Sequence, residues 1–299
     1  MKLVKQKIHY WCPDTWQGRI TGKGCGIAVL DTGIVPHPDF EGRIAAWLDC
    51  VHHRTSLYDD NGHGTHVAGI LASDGRTTGG LYAGMAPGAK LTVIKVLDEK
   101  GNGKIGHVME GLRCVQRIWR HFNIRIVNIS LGALPHPGDR QEEELLRLVE
   151  ALWEAGLVVV TAAGNLGPGE GSITIPGCSR KVITAGASDL QSPGKEKRAS
   201  CSGCGPTDGC VVKPDIVAPG RRIASCNYQY RKGGQPCVAK SGTSMATPIV
   251  AGAAALLLEK HPGMTNNEVK LRIWNCGQDL GEPANRQGHG LLHVAKLLA

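Results

Sequence analysis

A serine placed where a glycine turn gives way to an apolar helix is a place where a hydroxyl can do chemistry. In Ser241-Gly242-Thr243-Ser244-Met245-Ala246-Thr247-Pro248 the turn is followed by an apolar run, Ile249 to Leu258, which reads as a buried helix with Ser244 at its N-terminus. Unpaired backbone N–H groups and the positive end of the helix dipole face that position. Both favour the oxyanion that develops when a hydroxyl attacks a carbonyl. Pro248, four residues on, cannot donate to the Ser244 carbonyl. Read alone, the octet fits an N-cap serine as well as it fits a nucleophile.

A hydroxyl is a poor nucleophile at neutral pH, so acyl transfer needs an imidazole to take its proton and a carboxylate to orient that imidazole. Both are present upstream. Gly26-Ile27-Ala28-Val29-Leu30 reads as a buried parallel strand that ends on Asp31-Thr32-Gly33. Asn61-Gly62-His63-Gly64-Thr65-His66 passes from turn residues into a small, tightly packable helix through Ala72, with His63 at its start. A helix N-terminus disfavours imidazolium, so the carboxylate of Asp31 is required to offset that as charge develops on His63. His66, Gly62 and Gly64 are assigned to packing and the turn. A fourth candidate is Asn165, after Gly164 at the end of an apolar strand, whose amide could donate to the oxyanion together with the Ser244 N–H. Without the other three, Ala163-Gly164-Asn165 would be a plain turn.

These residues need elements that bring distant segments together. Further strands are expected at Leu91–Leu97, Arg125–Leu131, Leu157–Ala163 and Val182–Ala187, with short candidates at Ile216–Ala218 and Val238–Ala239. Helices are expected at Ile105–Phe122, Glu142–Ala155 and about 243–260, 266–275 and 291–298. Strands alternating with helices predict an α/β fold in three layers, a mostly parallel central sheet with helices on both faces. Catalytic groups of such sheets gather at the carboxyl ends of the strands.

The 299 residues suit one large domain, residues 17–299, behind a lead-in at 1–16, and 41 glycines with few aromatics fit a loop-rich enzyme. The net charge of +8 is scattered, and its densest group, Lys195 to Arg198, lacks interleaved aromatics, so nucleic acid is not expected as a partner. No apolar run is long enough for a membrane span, and no apolar segment follows the basic N-terminus, which points to a cytoplasmic protein. Eleven cysteines in such a chain read as reduced thiols. Cys201-x2-Cys204-x5-Cys210 has zinc-like spacing, but a fourth ligand would have to come from Cys178, Cys226 or Cys237, and a thiol-rich loop is the preferred reading.

The segments around Asp31 (Ala28–Ile34), His63 (Asn61–Gly69), Asn165 (Ala162–Asn165) and Ser244 (Ser241–Pro248) resemble the subtilisin family of serine endopeptidases. So do Lys213-Pro214-Asp215-Ile216-Val217-Ala218-Pro219-Gly220 and Gly288-His289-Gly290-Leu291-Leu292. The order Asp, His, Ser is that family's, and the similarity runs from about residue 17 to the end. The resemblance implies that Asp31, His63 and Ser244 form a catalytic triad, that Asn165 is the oxyanion donor, and that the substrate is polypeptide. It implies that Ser130-Leu131-Gly132 is an edge on which an extended peptide lies as an added strand, with Gly101-Asn102-Gly103 forming the opposite edge and Gly164 beside the first. It also implies a cis bond before Pro176. Asp39 resembles a calcium ligand of secreted members, but Ser73–Tyr82 differs from their calcium loop, so no cofactor is expected. The short lead-in is closer to intracellular members, and its Trp11–Trp16 stretch is either an inhibitory segment across the cleft or a surface strand packed on the body. A processing enzyme for one peptide and a silent peptide-binding relative stay open as alternatives. An α/β-hydrolase esterase requires G-x-S-x-G, whereas Ala246 stands at the last position here.

Overall fold

The structure is a computed structural model that describes residues 1–136, 138–188 and 201–299; the basic group Lys195–Arg198 lies outside them. Runs of Ile, Val, Leu and Ala form seven parallel strands: β1 (Gly26–Asp31), β2 (Ile44–Asp49), β3 (Lys90–Lys95), β4 (Ile124–Ile129), β5 (Val158–Ala162), β6 (Ile183–Ser188) and β7 (Ile216–Pro219). Every neighbouring pair in the order β2-β3-β1-β4-β5-β6-β7 is parallel. β1, β5 and β7 are buried throughout, as strands covered on both faces must be. A separate antiparallel hairpin joins β8 (Ile223–Cys226) to β9 (Cys237–Lys240).

The helices are α1 (Lys2–Lys7), α2 (His63–Ala72), α3 (Ile105–Ile118), α4 (Arg140–Glu154), α5 (Thr243–Lys260), α6 (Asn266–Asn275), α7 (Ala284–Gln287) and α8 (Val294–Leu298). α3 and α4 pack on each other and on β1 and β5, whereas α2 and α5 pack on each other and on the sheet from β3 to β7. α4 begins at Arg140 because the Asp139 side chain accepts from Gln141 N and Glu142 N. α5 is apolar on all sides and buried from Met245 to Leu258, which suits a helix enclosed between sheet and helices.

Two strands escape the sequence reading. β2 is an edge strand, half-exposed and without period-2 alternation, and β8 has only four residues. The last helix starts later than expected, at Val294, because Leu291 pairs with both Val217 and Gln278.

The chain runs from β1 outward to β2 and β3 on one side, then crosses back to β4 on the other. The order therefore reverses between β1 and β4, and the crevice outside their carboxyl ends is where open α/β sheets place ligands. Asp31 ends β1 and Ser130 follows β4 at this point.

The lead-in is helical at α1 and drives Met1, Val4, Ile8 and Tyr10 into the main core. Val294 N and Ala295 N donate to the Ile8 and His9 carbonyls, and Lys260 pairs with Asp14 at 3.1 Å. Asp14 thus sits at the far end of α5, about 24 Å along the helix from Ser244 at 1.5 Å per residue. Neither an inhibitory segment across the crevice nor a surface strand describes this packing.

Candidate active site

At the end of β1 the Asp31 carboxylate is fully buried, and its Oδ1 lies 2.7 Å from Nδ1 of His63. The same oxygen accepts from Thr32 N at 2.7 Å. His63 opens α2, so the strand end and the helix start must be held in register. Asp59, buried just ahead of the turn, does this. Its Oδ1 accepts from Thr32 Oγ1, Asn61 N and Gly62 N, and its Oδ2 from Thr65 N and Thr65 Oγ1. Thr32 Oγ1 in turn accepts from Gly64 N at 2.8 Å. Gly62 turns with φ +89°, and a Cβ there would lie 2.2 Å from the ring of Tyr228.

A second clamp is Lys95, at the end of β3. Its buried ammonium donates to the carbonyls of Thr32 and Leu97 and to Asp60 Oδ1, at 2.7, 2.8 and 2.7 Å. One cation thus fastens the segments after β1 and β3 to the loop before α2. Asp59, Lys95 and Tyr228 were not found from sequence. The only available signal was the pair Asp59-Asp60 directly ahead of the Asn61-Gly62 turn.

Burial pulls the His63 imidazole toward its neutral form, but the charge and hydrogen bond of Asp31 more than offset it, leaving the pKa above the ordinary histidine value. His66, one turn on, behaves oppositely. Burial drives it down to about 3, so it is neutral, with Nε2 2.9 Å from the carbonyls of Ile223 in β8 and Val238 in β9.

Ser244 is in the first turn of α5, and its Oγ donates to the Ser130 carbonyl at 3.0 Å. Among the described residues no hydrogen bond joins that hydroxyl to His63; the segment following β4 holds it instead. Pro248 lies inside α5, and the Thr247 hydroxyl donates to the Thr243 carbonyl at 2.8 Å. Asn165 is anchored beside the nucleophile candidate: its Oδ1 accepts from Thr243 N at 2.9 Å and from Thr243 Oγ1 at 3.2 Å. With the oxygen engaged, the amide NH₂ is the end left to donate outward from this exposed residue.

The two segments expected as edges follow the strands on either side of β1, β4 and β3. Leu131 and Gly132 continue from β4 to Ala133, which bridges Ile175. Gly132 and Gly164 both pack against Thr174, where a Cβ on either would come within 2.4 Å of its side chain, so backbone alone fits there. Gly101 and Gly103 belong to an exposed turn after β3, held by Asp98 Oδ1 accepting from Lys100 N and Asn102 N. Asn61 Nδ2 ties that turn to the His63 loop through the Glu99 carbonyl at 3.0 Å. The Ile175–Pro176 bond is cis.

The Asp39 surroundings do not fit calcium, which takes about 6–8 oxygen ligands. Its oxygens accept from Ser73 Oγ at 2.8 Å and Thr77 N at 2.9 Å, and an imidazole and a thiol adjoin it. Among the described residues, Cys201, Cys204 and Cys210 do not form a cluster of metal-ligand atoms; Cys204 is buried while the other two are exposed.

A subtilase family model matches residues 22–290. Serine protease AprX of Bacillus subtilis (strain 168) is 46% identical over 275 residues, which is 86% of this chain and 62% of that protein; the chain thus spans under two thirds of that relative's length. Subtilisin Savinase of Lederbergia lenta is 38% identical over 276 residues, 92% of this chain and 91% of the relative. Among solved structures, Sphericase superposes with TM-score 0.81 at 28% identity, covering 97% of each chain. A cold-adapted subtilisin-like serine proteinase superposes with TM-score 0.75 at 28% identity, covering 94% of this chain and 92% of the other.

Proposed function

Because this chain belongs to the subtilase family, we propose that it is a serine endopeptidase that hydrolyses peptide bonds in extended polypeptide segments through an acyl-enzyme on Ser244. The observation that carries the reading is the 2.7 Å contact between Asp31 and His63 at the β1/β4 switch point, with Ser244 and Asn165 joined to the same crevice through Ser130 and Thr243.

In the proposed cycle the Ser244 hydroxyl leaves the Ser130 carbonyl by rotation about its side-chain bond and turns to His63. His63 takes its proton as Oγ attacks the scissile carbonyl, and Asp31 stabilises the imidazolium. The oxyanion meets Asn165 Nδ2 and the Ser244 N–H at the start of α5, where the helix dipole adds to both. The imidazolium then protonates the leaving amine, and water repeats the steps in reverse. An extended substrate lies between the segments 130–132 and 101–103, pairing its backbone with theirs. No helix among the described residues is long and apolar enough to cross a membrane. The thiol-rich composition supports a reducing, cytoplasmic setting.

Ser244→Ala is expected to abolish both turnover of a casein-type substrate and labelling by a fluorophosphonate, with the melting temperature unchanged. Retained hydrolysis by that variant would reject the assignment.

A further inference from the structure

On the far side of α2 from the crevice, three side chains of different donor chemistry converge where the hydrolytic reading has no use for them. His37 and Asp39 flank Pro38 in a single helical turn, Pro38–Phe40, and Cys226 ends β8. All three residues are buried, and one ligand atom from each lies within 4.8 Å of the other two. The Asp39 carboxylate stands between its neighbours: Oδ1 is 3.8 Å from Nδ1 of His37, and Oδ2 is 3.8 Å from Sγ of Cys226. Around a tetrahedral ion with bonds of ~2.0–2.3 Å, such donors sit ~3.4 Å apart, so the carboxylate is already within a few tenths of an ångström of that spacing to both neighbours, and the imidazole and thiol close on each other from within 4.8 Å.

The protonation pattern also fits. Nδ1 of His37 accepts from Asp39 N at 3.2 Å and so carries no proton; an ion takes that lone pair in exchange for this hydrogen bond. The ring proton then sits on the opposite nitrogen, Nε2, and the imidazole is hydrogen-bonded to the backbone at Pro236, the outer contact that orients a metal-binding histidine. The carboxylate is held in place by Ser73 Oγ and Thr77 N, the outer contacts that fix a metal-binding carboxylate. Arg43 donates to the Asp39 carbonyl, and its charge is met by Asp74 at 3.8 Å. A cavity of about 410 Å³ lined by Phe40, Ile44, Leu57 and Arg231 lies against His37.

We propose that His37, Asp39 and Cys226 form a structural binding site for a thiophilic divalent ion of the zinc type. Nitrogen, sulfur and one carboxylate are the donors zinc prefers and calcium does not. On binding, the Cys226 thiol loses its proton to solvent, and the thiolate and carboxylate together match the ion's two charges. The fourth position falls to water. An ion there ties the hairpin to the 37–39 turn and, through Ser73, to the C-terminal end of α2, whose first residue is His63.

Cobalt titration of reduced, chelator-treated Ser244→Ala protein tests this without any dependence on peptidase activity. One equivalent of Co²⁺ is expected to bind with a sulfur-to-metal charge-transfer band and visible bands of tetrahedral intensity. Zn²⁺ should displace it and raise the melting temperature, and Ca²⁺ should do neither. Cys226→Ser should lose the charge-transfer band, His37→Gln should weaken binding at least tenfold, and the double variant Cys201→Ser, Cys210→Ser should bind as the parent does. Absence of saturable binding, or a sulfur band that survives Cys226→Ser, overturns the proposal. Should Cys226→Ser fail to fold, X-ray absorption of the zinc-loaded parent decides: a first shell of mixed sulfur with nitrogen or oxygen supports the site, and an all-oxygen or all-sulfur shell overturns it.

Discussion

His63 is pulled in two directions, and the outcome sets how activity should depend on pH. Because Asp31 leaves its pKa above the ordinary value, the neutral base is available only above that raised value. Activity against a peptide substrate is expected to rise with pH through a midpoint above ~6.5. Asp31→Asn removes the charge that offsets burial, so the residual midpoint should move below that of the parent while kcat falls on the order of 10⁴-fold. A pH–rate profile of both proteins checks the two shifts together. Asn165→Ala should lower kcat about 10²–10³-fold with KM little changed, a range that derives from a subtilisin itself. At this scale the four candidate groups could be picked out from sequence because turns and strand ends mark where a polar side chain emerges. Asp59 and Lys95 could not: a buried carboxylate accepting from several donors and a buried ammonium look, in sequence, like any acid or base near a loop.

At the scale of elements, the apolar runs announced the central strands, since a strand covered on both faces is hydrophobic without interruption. The half-exposed edge strand β2 carries no such signature, nor does the four-residue β8, whereas its hairpin partner β9 is marked by Val238-Ala239. That hairpin is nonetheless fastened to α2 through His66, whose single proton can serve either the Ile223 or the Val238 carbonyl. Its folded pKa of about 3 lies well below the unfolded ~6.5, so the unfolded chain binds the extra proton between these values. Stability from this group is therefore full above pH ~6.5 and lost as the pH falls toward 3. Thermal unfolding of the Ser244→Ala protein should show a melting temperature that declines below pH ~6.5, and His66→Gln should flatten that decline while lowering the value at neutral pH.

Across the whole molecule, the sheet is closed at its β7 end by a buried charge network. Lys213 Nζ lies 2.6 Å from Asp215 Oδ2, Lys270 Nζ lies 3.6 Å from Oδ1, and both ammonium groups also donate to the Val182 carbonyl. Burial lowers the Lys270 pKa to about 8, and Asp215 is what keeps the group charged. Asp215→Ala leaves the buried Lys213 and Lys270 side chains without their anion and should cost about 3–5 kcal/mol, seen as a large drop in the urea midpoint of the Ser244→Ala protein. α5 meets α2 and strands β4 to β7, yet it comes late in the sequence. During synthesis those strands emerge well before the segment that covers one of their faces, so a chain stopped short of residue 243 carries an open apolar sheet. Such a fragment is a candidate for aggregation and a client for chaperones. The proposed nucleophile arrives on that same helix, so a growing polypeptide carries no Ser244 until all seven strands of the sheet have been made.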